Sequence, residues 1–313
     1  MSQYVFGVDI GGTTVKLGYF DTEGNVLDKW EIPTRKEDNG SRILPDVAAS
    51  IEKKIKDAGI DRKDVAGVGV GAPGPVDSEG VIYKTANLGW GVFSIKETLE
   101  NILKLPVMAG NDANVAALGE MWKGGGQGYK DLVVVTLGTG VGGGIIVDGK
   151  IVAGAHGAGG EVGHACVEPE EEAVCNCGNH GCLEQMTSAT GIVRLAKKYL
   201  ASHDTPSSLR ERGESISAKA VFDALKEGDA AAEAIVQEFS EYLGRALAVF
   251  ACVVDPEVIV VGGGVSKAGQ ILIDGVAKYY REAAFIACKD TPIVLASLGN
   301  DAGIYGAAKM LID

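Results

Sequence analysis

The segment 4–20 reads YVFGVDIGGTTVKLGYF. It contains two apolar runs, Tyr4–Ile10 and Val15–Phe20, on either side of Gly11-Gly12-Thr13-Thr14. Apolar runs of this length bounded by glycines are typical of strands joined by a tight turn. A third run, Asn25–Ile32, follows another glycine turn. The N-terminal region therefore predicts an antiparallel meander of three strands.

The same pattern recurs at residues 132–153. Leu132–Leu137 and Gly142–Val147 predict strands around the turn Gly138-Thr139-Gly140, and Lys150-Ile151-Val152 continues after a second turn. The two regions do not share a repeated sequence, so we interpret them as a structural echo and not as a tandem repeat.

The rest of the chain predicts alternating helices and strands. Apolar periodicity and capping residues, such as Ser94 with Glu97 three positions later, predict helices at 41–58, 94–103, 112–122, 189–202, 217–226, 229–253, after the glycines at 262–264 as far as about 281, and at 302–311. Buried strands are predicted at residues 65–70 and 258–261, and further strands at 106–109 and 293–296. Strands with helices on both faces of a sheet predict an α/β protein.

Length and charge limit the class of protein further. The 313 residues are enough for two domains or for one large domain. We predict a small N-terminal α/β domain, residues 1–121 with the terminal helix of 302–313 packed back on it, and a larger C-terminal α/β domain, residues 122–301. The net charge of −13 argues against nucleic acid as a partner, because such a surface needs a basic face.

The chain also lacks the apolar stretches that membranes require. Its N-terminus shows no basic region followed by an apolar signal core, and the longest late apolar run, Ala246–Val254, is too short to span a bilayer. No membrane association is expected. With reduced cysteines, this pattern predicts a cytoplasmic protein.

Three glycine-rich turns predict a nucleotide site: the first at residues 11–14, the second at 138–144 and the third at 262–264. Each follows a strand, and glycine lets the backbone approach a phosphate and present N–H donors. None is a Walker A loop, because no Gly-Lys-Ser/Thr follows. A Rossmann fingerprint also fits poorly, because the segment 138–143 (GTGVGG) runs toward a strand and not a helix. The residues predicted to bind ATP and its Mg²⁺ are Asp9, Gly11, Gly12, Thr13, Thr14, Lys16, Thr139, Gly140, Gly263 and Gly264. Asp9 could hold Mg²⁺ through water; its alternative role is that of a turn residue at a strand end.

A short tract contains four potential metal ligands: His164, Cys175, Cys177 and Cys182. Three thiols and one imidazole make a tetrahedral zinc set, and four protein ligands leave no position for catalytic water, so the zinc would be structural. His180 could compete as a ligand, and Cys166 could replace one of the four. Glu161 and Glu184 flank the tract, which suggests a metal-braced loop that presents carboxylates to a polar substrate.

These motifs resemble those of the ROK family of sugar kinases. Segment 9–13 (DIGGT) is similar to the first phosphate motif of the family and segment 137–144 (LGTGVGGG) to the second. Segments 161–164 (EVGH) and 175–184 (CNCGNHGCLE) resemble its sugar-and-zinc signature. The resemblance covers essentially the whole chain and implies the two-domain actin/hexokinase-like (ribonuclease H-like) α/β fold with a cleft between the domains. It also implies a homodimer or a higher homo-oligomer.

The resemblance assigns roles to individual residues. Asn111-Asp112 matches the Asn-Asp pair of the family, in which the aspartate is the catalytic base; an alternative is that Asp112 only caps the helix that follows. The residues expected to bind the sugar are Gly74, Asn87, Asn111, Asp112, Glu161, His164 and Glu184, with His164 also binding zinc.

The implied activity is transfer of the γ-phosphoryl group of MgATP to the 6-hydroxyl of a hexose. Within the family the chain is most similar to bacterial glucokinases, so glucose is the expected acceptor. Kinases for N-acetylmannosamine, fructose or allose, a non-catalytic sugar sensor and an ATP-driven chaperone are the alternatives, and polyphosphate is an alternative donor. The pair Asn111-Asp112 and the intact turns argue against a sensor, and the zinc signature argues against a chaperone.

Overall fold

The computed structural model describes residues 3–83, 85 and 88–312. The strands are β1 (Tyr4–Ile10), β2 (Thr14–Asp21), β3 (Val26–Pro33), β4 (Val65–Ala72), β5 (Val81–Ile82), β6 (Phe93–Ser94), β7 (Val107–Asn111), β8 (Leu132–Leu137), β9 (Val141–Val147), β10 (Lys150–Ile151), β11 (Val258–Gly262) and β12 (Ile293–Leu295). The helices are α1 (Glu37–Gly40), α2 (Ile43–Asp57), α3 (Ile95–Leu103), α4 (Asp112–Lys123), α5 (Leu183–Thr187), α6 (Ala189–Ser202), α7 (Ala218–Lys226), α8 (Ala230–Val254), α9 (Gln270–Ala283) and α10 (Ala302–Lys309).

The first sheet has the order β3-β2-β1-β4-β7. Strands β1, β2 and β3 pair antiparallel in sequence, which confirms the predicted N-terminal meander. Strands β1, β4 and β7 pair parallel, with Asp9 opposite Gly71 and Gly71 opposite Gly110. Because parallel strands end at the same edge of a sheet, the carboxyl ends of β1, β4 and β7 lie side by side.

The second sheet has the order β10-β9-β8-β11-β12. Its strands β8, β11 and β12 pair parallel, whereas β9 and β10 form an antiparallel hairpin. In both sheets, then, the three strands of the predicted echo lie on one side and two later strands extend the other side. The echo between residues 4–32 and 132–153 is confirmed at the level of strand order.

The chain forms two compact units. The first consists of Met1–Lys130, Gly144–Gly160 and Leu298–Asp313, and the second of Asp131–Gly143 and Glu161–Ser297. Each has its own hydrophobic core, around Phe6 and Ile51 in the first unit and around Leu183 and Phe239 in the second. The predicted domains, residues 1–121 with 302–313 and residues 122–301, stay a prediction.

Helix α10 packs closely on α4 within the first unit. A Cβ atom at Gly306 would lie 1.6 Å from Val115 O, and one at Gly119 would lie 2.2 Å from Ala302 O. Only glycine permits such an approach of the two helix backbones. The tight contact holds α4, whose first residue is Asp112, against the C-terminal helix, and it confirms that this helix packs back on the first part of the chain.

The structure corrects one predicted helix. The helix expected directly after residues 262–264 is interrupted, because a 3-10 turn, Val265–Ala268, precedes α9. Gly269, at φ +83°, separates the two, and that left-handed conformation does not fit a helix. In the described part of the chain, no helix combines the length and the apolar character needed to cross a membrane.

Candidate functional site

Two carboxylates lie at the carboxyl edge of the first sheet. Asp9 is the next-to-last residue of β1, and Asp112 directly follows β7; both side chains are partly buried. Burial and the negative charge of Asp112 together raise the pKa of Asp9 to about 6, although the charge of Lys16 opposes the rise. Burial also raises the pKa of Asp112, against the hydrogen bond from the backbone N–H of Ala113. This edge therefore holds two carboxylates that take up protons more readily than exposed ones.

Asn111 caps the helix that carries Asp112. Its Oδ1 accepts hydrogen bonds from the backbone N–H groups of Ala113 (3.0 Å) and Asn114 (3.1 Å), and its Nδ2 donates to Gly74 O at 3.1 Å. The alternative reading of Asp112 as the helix cap is therefore wrong, because Asn111 occupies that position. Asp112 is the first helical residue, where the helix dipole favours a negative charge.

The sugar-binding predictions at this edge fall on residues that are linked to one another. Gly74 lies in the segment after β4 with φ +118°, a conformation that favours glycine, and it is tied to α4 through Asn111. Asn87 lies outside the described residues.

The first glycine turn is held from outside by a buried threonine. Thr34 donates its hydroxyl to Gly11 O at 2.7 Å and its backbone N–H to Thr13 O at 2.9 Å. The turn also closes on itself, from Gly11 N–H to Thr14 O at 3.0 Å. Thr34 is absent from the sequence-based predictions, although a threonine directly after β3 is a signal that could have suggested it.

Residues from the far end of the chain complete this edge. Lys16 Nζ donates to Asn300 O at 2.9 Å. A Cβ atom at Gly303, in the first turn of α10, would lie 2.5 Å from Asp9 Cγ. Gly303 therefore lets α10 cover the carboxylate of Asp9. Gly303 is absent from the sequence-based predictions, and nothing in its local pattern points to Asp9.

We expect Asp9→Asn to stabilise the protein at neutral pH. The pKa of Asp9 is raised from its unfolded value of 3.8 to about 6, so its contribution to stability is full below pH 3.8 and is lost as the pH rises to 6. Above pH 6 the ionised carboxylate costs up to about 3 kcal/mol, which the neutral amide avoids. We expect urea unfolding to show that the free energy of unfolding of the variant, relative to that of the wild type, increases from pH 4 to pH 7.5.

The control for this experiment is Asp28→Asn. Asp28 is exposed, and its hydrogen bond with Lys54 lowers its pKa, so its removal should not stabilise the protein at neutral pH. Parallel stability curves for the wild type and Asp9→Asn would contradict the assigned burial of the Asp9 charge.

The second and third glycine turns meet at one edge of the second sheet. They follow the neighbouring parallel strands β8 and β11, in which Gly262 lies opposite Thr136. A Cβ atom at Gly263, whose φ is +82°, would lie 2.5 Å from the backbone of Leu137. The second turn is also fixed to the start of α6, since Thr190 Oγ1 donates to Thr139 O at 2.9 Å. The predicted nucleotide residues of the second unit thus come together.

Gly12 and Gly264 are not required by the packing of the protein. A Cβ atom at either would meet no atom within 4 Å, and neither has a left-handed φ. Close approach of a ligand to the backbone is one reason to keep glycine at such a position. Each of these residues belongs to a turn predicted to bind the nucleotide.

The four predicted metal ligands form one cluster. One ligand atom each from His164, Cys175, Cys177 and Cys182 lies within 4.8 Å of the others. His164 Nδ1 is 3.8 Å from Cys175 Sγ, and Cys177 Sγ is 3.6 Å from Cys182 Sγ. Ligands at Zn–S bonds of about 2.3 Å in a tetrahedron are about 3.8 Å apart. The donor set and its spacing therefore fit zinc.

The backbone of the tract accounts for this arrangement. Gly178 N–H donates to Cys175 O at 2.8 Å, which closes the turn between the two clustered thiols. The two alternative ligands lie outside the cluster: His180 is exposed with Nδ1 3.1 Å from Glu172 O, and Cys166 is an exposed thiol. Burial raises the pKa of the Cys182 thiol to about 12, a cost that a bound metal would offset because coordinated thiols are deprotonated.

Both flanking carboxylates touch the cluster or its ligands. Glu161 Oε2 lies 3.9 Å from His164 Nε2, the ring nitrogen opposite the one that faces Cys175. Glu184 Oε1 lies 3.8 Å from Cys175 Sγ, and its Oε2 accepts the backbone N–H of Val141 at 2.9 Å. Glu184 therefore links the metal cluster to the residue after the second glycine turn, a connection that the sequence did not suggest.

Known proteins are similar to this chain in sequence and in fold. A glucokinase from Halalkalibacterium halodurans is 44% identical over 308 residues, which is 97% of this chain and 93% of that protein. A ROK family glucokinase from Streptomyces griseus, solved in complex with glucose and AMPPNP, is 33% identical with a TM-score of 0.76 over 98% of both chains. A ROK hexokinase from Thermus thermophilus is 33% identical with a TM-score of 0.80, over 97% of this chain and 96% of the other.

The matching strand orders of the two sheets and the similar solved structures show that the protein is an α/β sugar kinase with the actin/hexokinase-like fold. The model of the ROK family matches residues 5–313. The chain belongs to the ROK family. The predictions of the family, of the fold class and of a sugar kinase are confirmed.

Proposed function

We propose that the protein transfers the γ-phosphoryl group of MgATP to the 6-hydroxyl of glucose. The observation that carries this proposal is the pair of carboxylates at one sheet edge: Asp112 at the start of α4, and Asp9 two residues before Gly11 of the first glycine turn. A proton acceptor and a phosphate-binding turn are the parts that phosphoryl transfer to a hydroxyl needs. The glucokinases to which the chain is similar support glucose as the acceptor.

Asp112 is the proposed general base. Burial raises the pKa of its carboxyl group, which makes the carboxylate a better proton acceptor than an exposed aspartate. Asn111 holds the start of α4 through two hydrogen bonds, so the carboxylate that follows it is fixed in position. This rigidity favours the alignment on which most of the rate of phosphoryl transfer depends.

Carboxylate and imidazole groups are proposed to recognise the sugar. Glu161 and Glu184 can each accept hydrogen bonds from neighbouring hydroxyls, and His164 adds a ring nitrogen between Glu161 and the metal cluster. Asn111, Gly74 and Asn87 complete the proposed set. A site built to bind hydroxyls rejects epimers, because the misplaced hydroxyl leaves a polar group of the protein unpaired.

Zinc and Mg²⁺ have separate proposed roles. His164 with the three clustered cysteines would hold a structural zinc with a full coordination sphere. Mg²⁺ bound to ATP neutralises phosphate charge, and Asp9 would orient it through water. The nucleotide would lie on the three glycine turns, with Thr13, Thr14 and Lys16 on the first, Thr139 and Gly140 on the second, and Gly263 and Gly264 on the third.

We expect Gly12→Ala to raise KM for ATP about tenfold or more while the protein keeps its stability. The new methyl group meets no protein atom, so it should not strain the fold, but it occupies space beside a turn proposed to face phosphate. Steady-state kinetics and thermal melting check this. Gly91→Ala is the matched control, because its Cβ also meets nothing within 4 Å and φ there is not left-handed. An unchanged KM for ATP in Gly12→Ala would contradict the proposal that the first glycine turn binds the phosphates of ATP.

A coupled kinase assay tests the proposed reaction. We expect turnover with MgATP and glucose to exceed that with mannose, N-acetylmannosamine, N-acetylglucosamine, fructose or allose, and polyphosphate should be tested as an alternative donor. A preference for another sugar would replace glucose as the proposed acceptor but would leave the proposed mechanism of phosphoryl transfer unchanged. Binding of sugar without turnover would instead favour a sensor. The homodimer and the cytoplasmic location stay predictions.

A further inference from the structure

Cys166 faces Cys182 across a short antiparallel bridge. The hydrogen bonds of this bridge run from Leu183 N–H to Ala165 O at 2.8 Å and from Val167 N–H to Gly181 O at 2.7 Å. Both bonds come from the residues on either side, so Cys166 and Cys182 form a non-hydrogen-bonded pair. In such pairs the Cα atoms are about 4.5 Å apart and the side chains lie on the same face.

That geometry suits a disulfide bond. Disulfides join residues with Cα–Cα distances of roughly 4.4–6.8 Å, so the pair can be bridged by side-chain rotation without a large backbone movement. The two thiols differ in their surroundings: Cys182 is fully buried and belongs to the metal cluster, whereas Cys166 is exposed and lies outside it. A cavity of about 460 Å³ lies beside Cys166, between it and the side chains of Glu238 and Arg245.

We propose that Cys166 and Cys182 are a peroxide-sensitive pair whose disulfide removes a ligand from the metal cluster. This inference rests on the zinc site proposed above. Hydrogen peroxide first oxidises the exposed Cys166 thiol to a sulfenic acid, with release of one water. The Cys182 sulfur then attacks the Cys166 sulfur, the S–S bond forms, and the sulfenic oxygen leaves as a second water. Two electrons pass from the two thiols to the peroxide, and a thiol reductant reverses the step.

Cys166 reacts first because it is the uncoordinated thiol of the region. Zinc holds the three clustered thiols, and Cys175 and Cys182 are also shielded by burial. After the bond forms, three ligands remain: His164, Cys175 and Cys177. Zinc is then held less tightly, and the contact of Cys175 with Glu184 loses its fixed geometry. Sugar recognition is lost in the oxidised protein and returns on reduction with added zinc.

The test treats the zinc-loaded protein with hydrogen peroxide. Zinc release is followed with a coloured chelator, and the disulfide is located by mass spectrometry of a non-reducing digest. We expect about one zinc released per chain and a peptide pair that joins Cys166 to Cys182. The variant Cys166→Ser should release zinc at least tenfold more slowly and lack this peptide pair. The matched control Cys252→Ser, which removes another exposed thiol, should behave as the wild type.

Two results would overturn the proposal. One is a disulfide between Cys177 and Cys182, whose sulfurs are 3.6 Å apart, with zinc release unchanged in Cys166→Ser. The other is oxidation of Cys166 to a sulfinic acid with all zinc retained. Zinc release and the disulfide-linked peptide pair are both measured without kinase activity. The test therefore holds even if the sugar substrate is not glucose. A protein purified without zinc would refute the metal site, whereas the digest would still decide whether the pair forms.

Discussion

Replacement of Asp112 by asparagine is expected to lower kcat for glucose phosphorylation by about 10²- to 10⁴-fold, the usual contribution of a general base. The amide keeps the size of the side chain but cannot accept the hydroxyl proton. Because burial raises the pKa of Asp112, the loss of a partly buried charge should leave the melting temperature equal or higher. A lower kcat with an unchanged or higher melting temperature would show that the substitution impairs the reaction and not the fold.

The decisive comparison is between rate and binding. Glucose affinity, measured by calorimetry, should change much less than kcat, since Asp112 is only one of several proposed sugar contacts. Asp290→Asn, an exposed aspartate of the second unit, is the matched control and should keep full activity. If Asp112→Asn retained more than a tenth of wild-type kcat, another group would have to accept the proton.

Loss of the metal is expected to abolish glucose phosphorylation or to raise KM for glucose by about 100-fold or more. Structural zinc contributes roughly 10–16 kcal/mol of binding free energy in small zinc domains, so the tract that it crosslinks should lose its order without the ion. Glu161 and Glu184 contact that tract directly, through His164 and Cys175. The sugar-binding carboxylates should therefore be displaced, while the glycine turn after β11 should persist, since β8 and β11 pair independently of the metal.

The experiment compares chelated protein with two cysteine variants. Cys182→Ser removes a buried ligand, and Cys288→Ser removes a buried thiol outside the cluster. We expect zinc content and glucose binding to fall only in the first, and binding of an ATP analogue to survive in both. Full activity in a sample shown by metal analysis to be zinc-free would refute a structural role of the metal.

Local patterns were sufficient for most of the secondary structure and for the candidate metal ligands. They did not indicate β5, β6 or α5, and they predicted an uninterrupted helix after residues 262–264. Strand β1 and helix α6 have the predicted limits, and Ser94 caps α3 by accepting the N–H of Glu97, as its spacing indicated. These features depend on residues a few positions apart. The tract of candidate ligands is also local, because it is 19 residues long, from His164 to Cys182, and glycines close its turns.

Interactions over long sequence distances could not be predicted in the same way. The hydrogen bond that Asn111 Nδ2 donates to Gly74 O joins residues 37 positions apart, and no local pattern indicated it. The contact between Gly303 and Asp9 depends on how α10 packs against β1. The local sequence around Asn111 or around Gly303 contains no information about a partner far away in the chain.

The amino-acid sequence alone was enough to indicate the family, the order of the main strands and turns, and the four residues of the candidate metal cluster, because each is encoded in short segments. The tertiary structure decided which of these segments act together. Parallel pairing brought Asp9 and the start of α4 to one edge, and the fold of the tract brought Glu184 from the metal cluster to Val141. Sheet register and helix packing set these contacts, and both depend on free energies summed over the whole chain rather than over a few neighbouring residues.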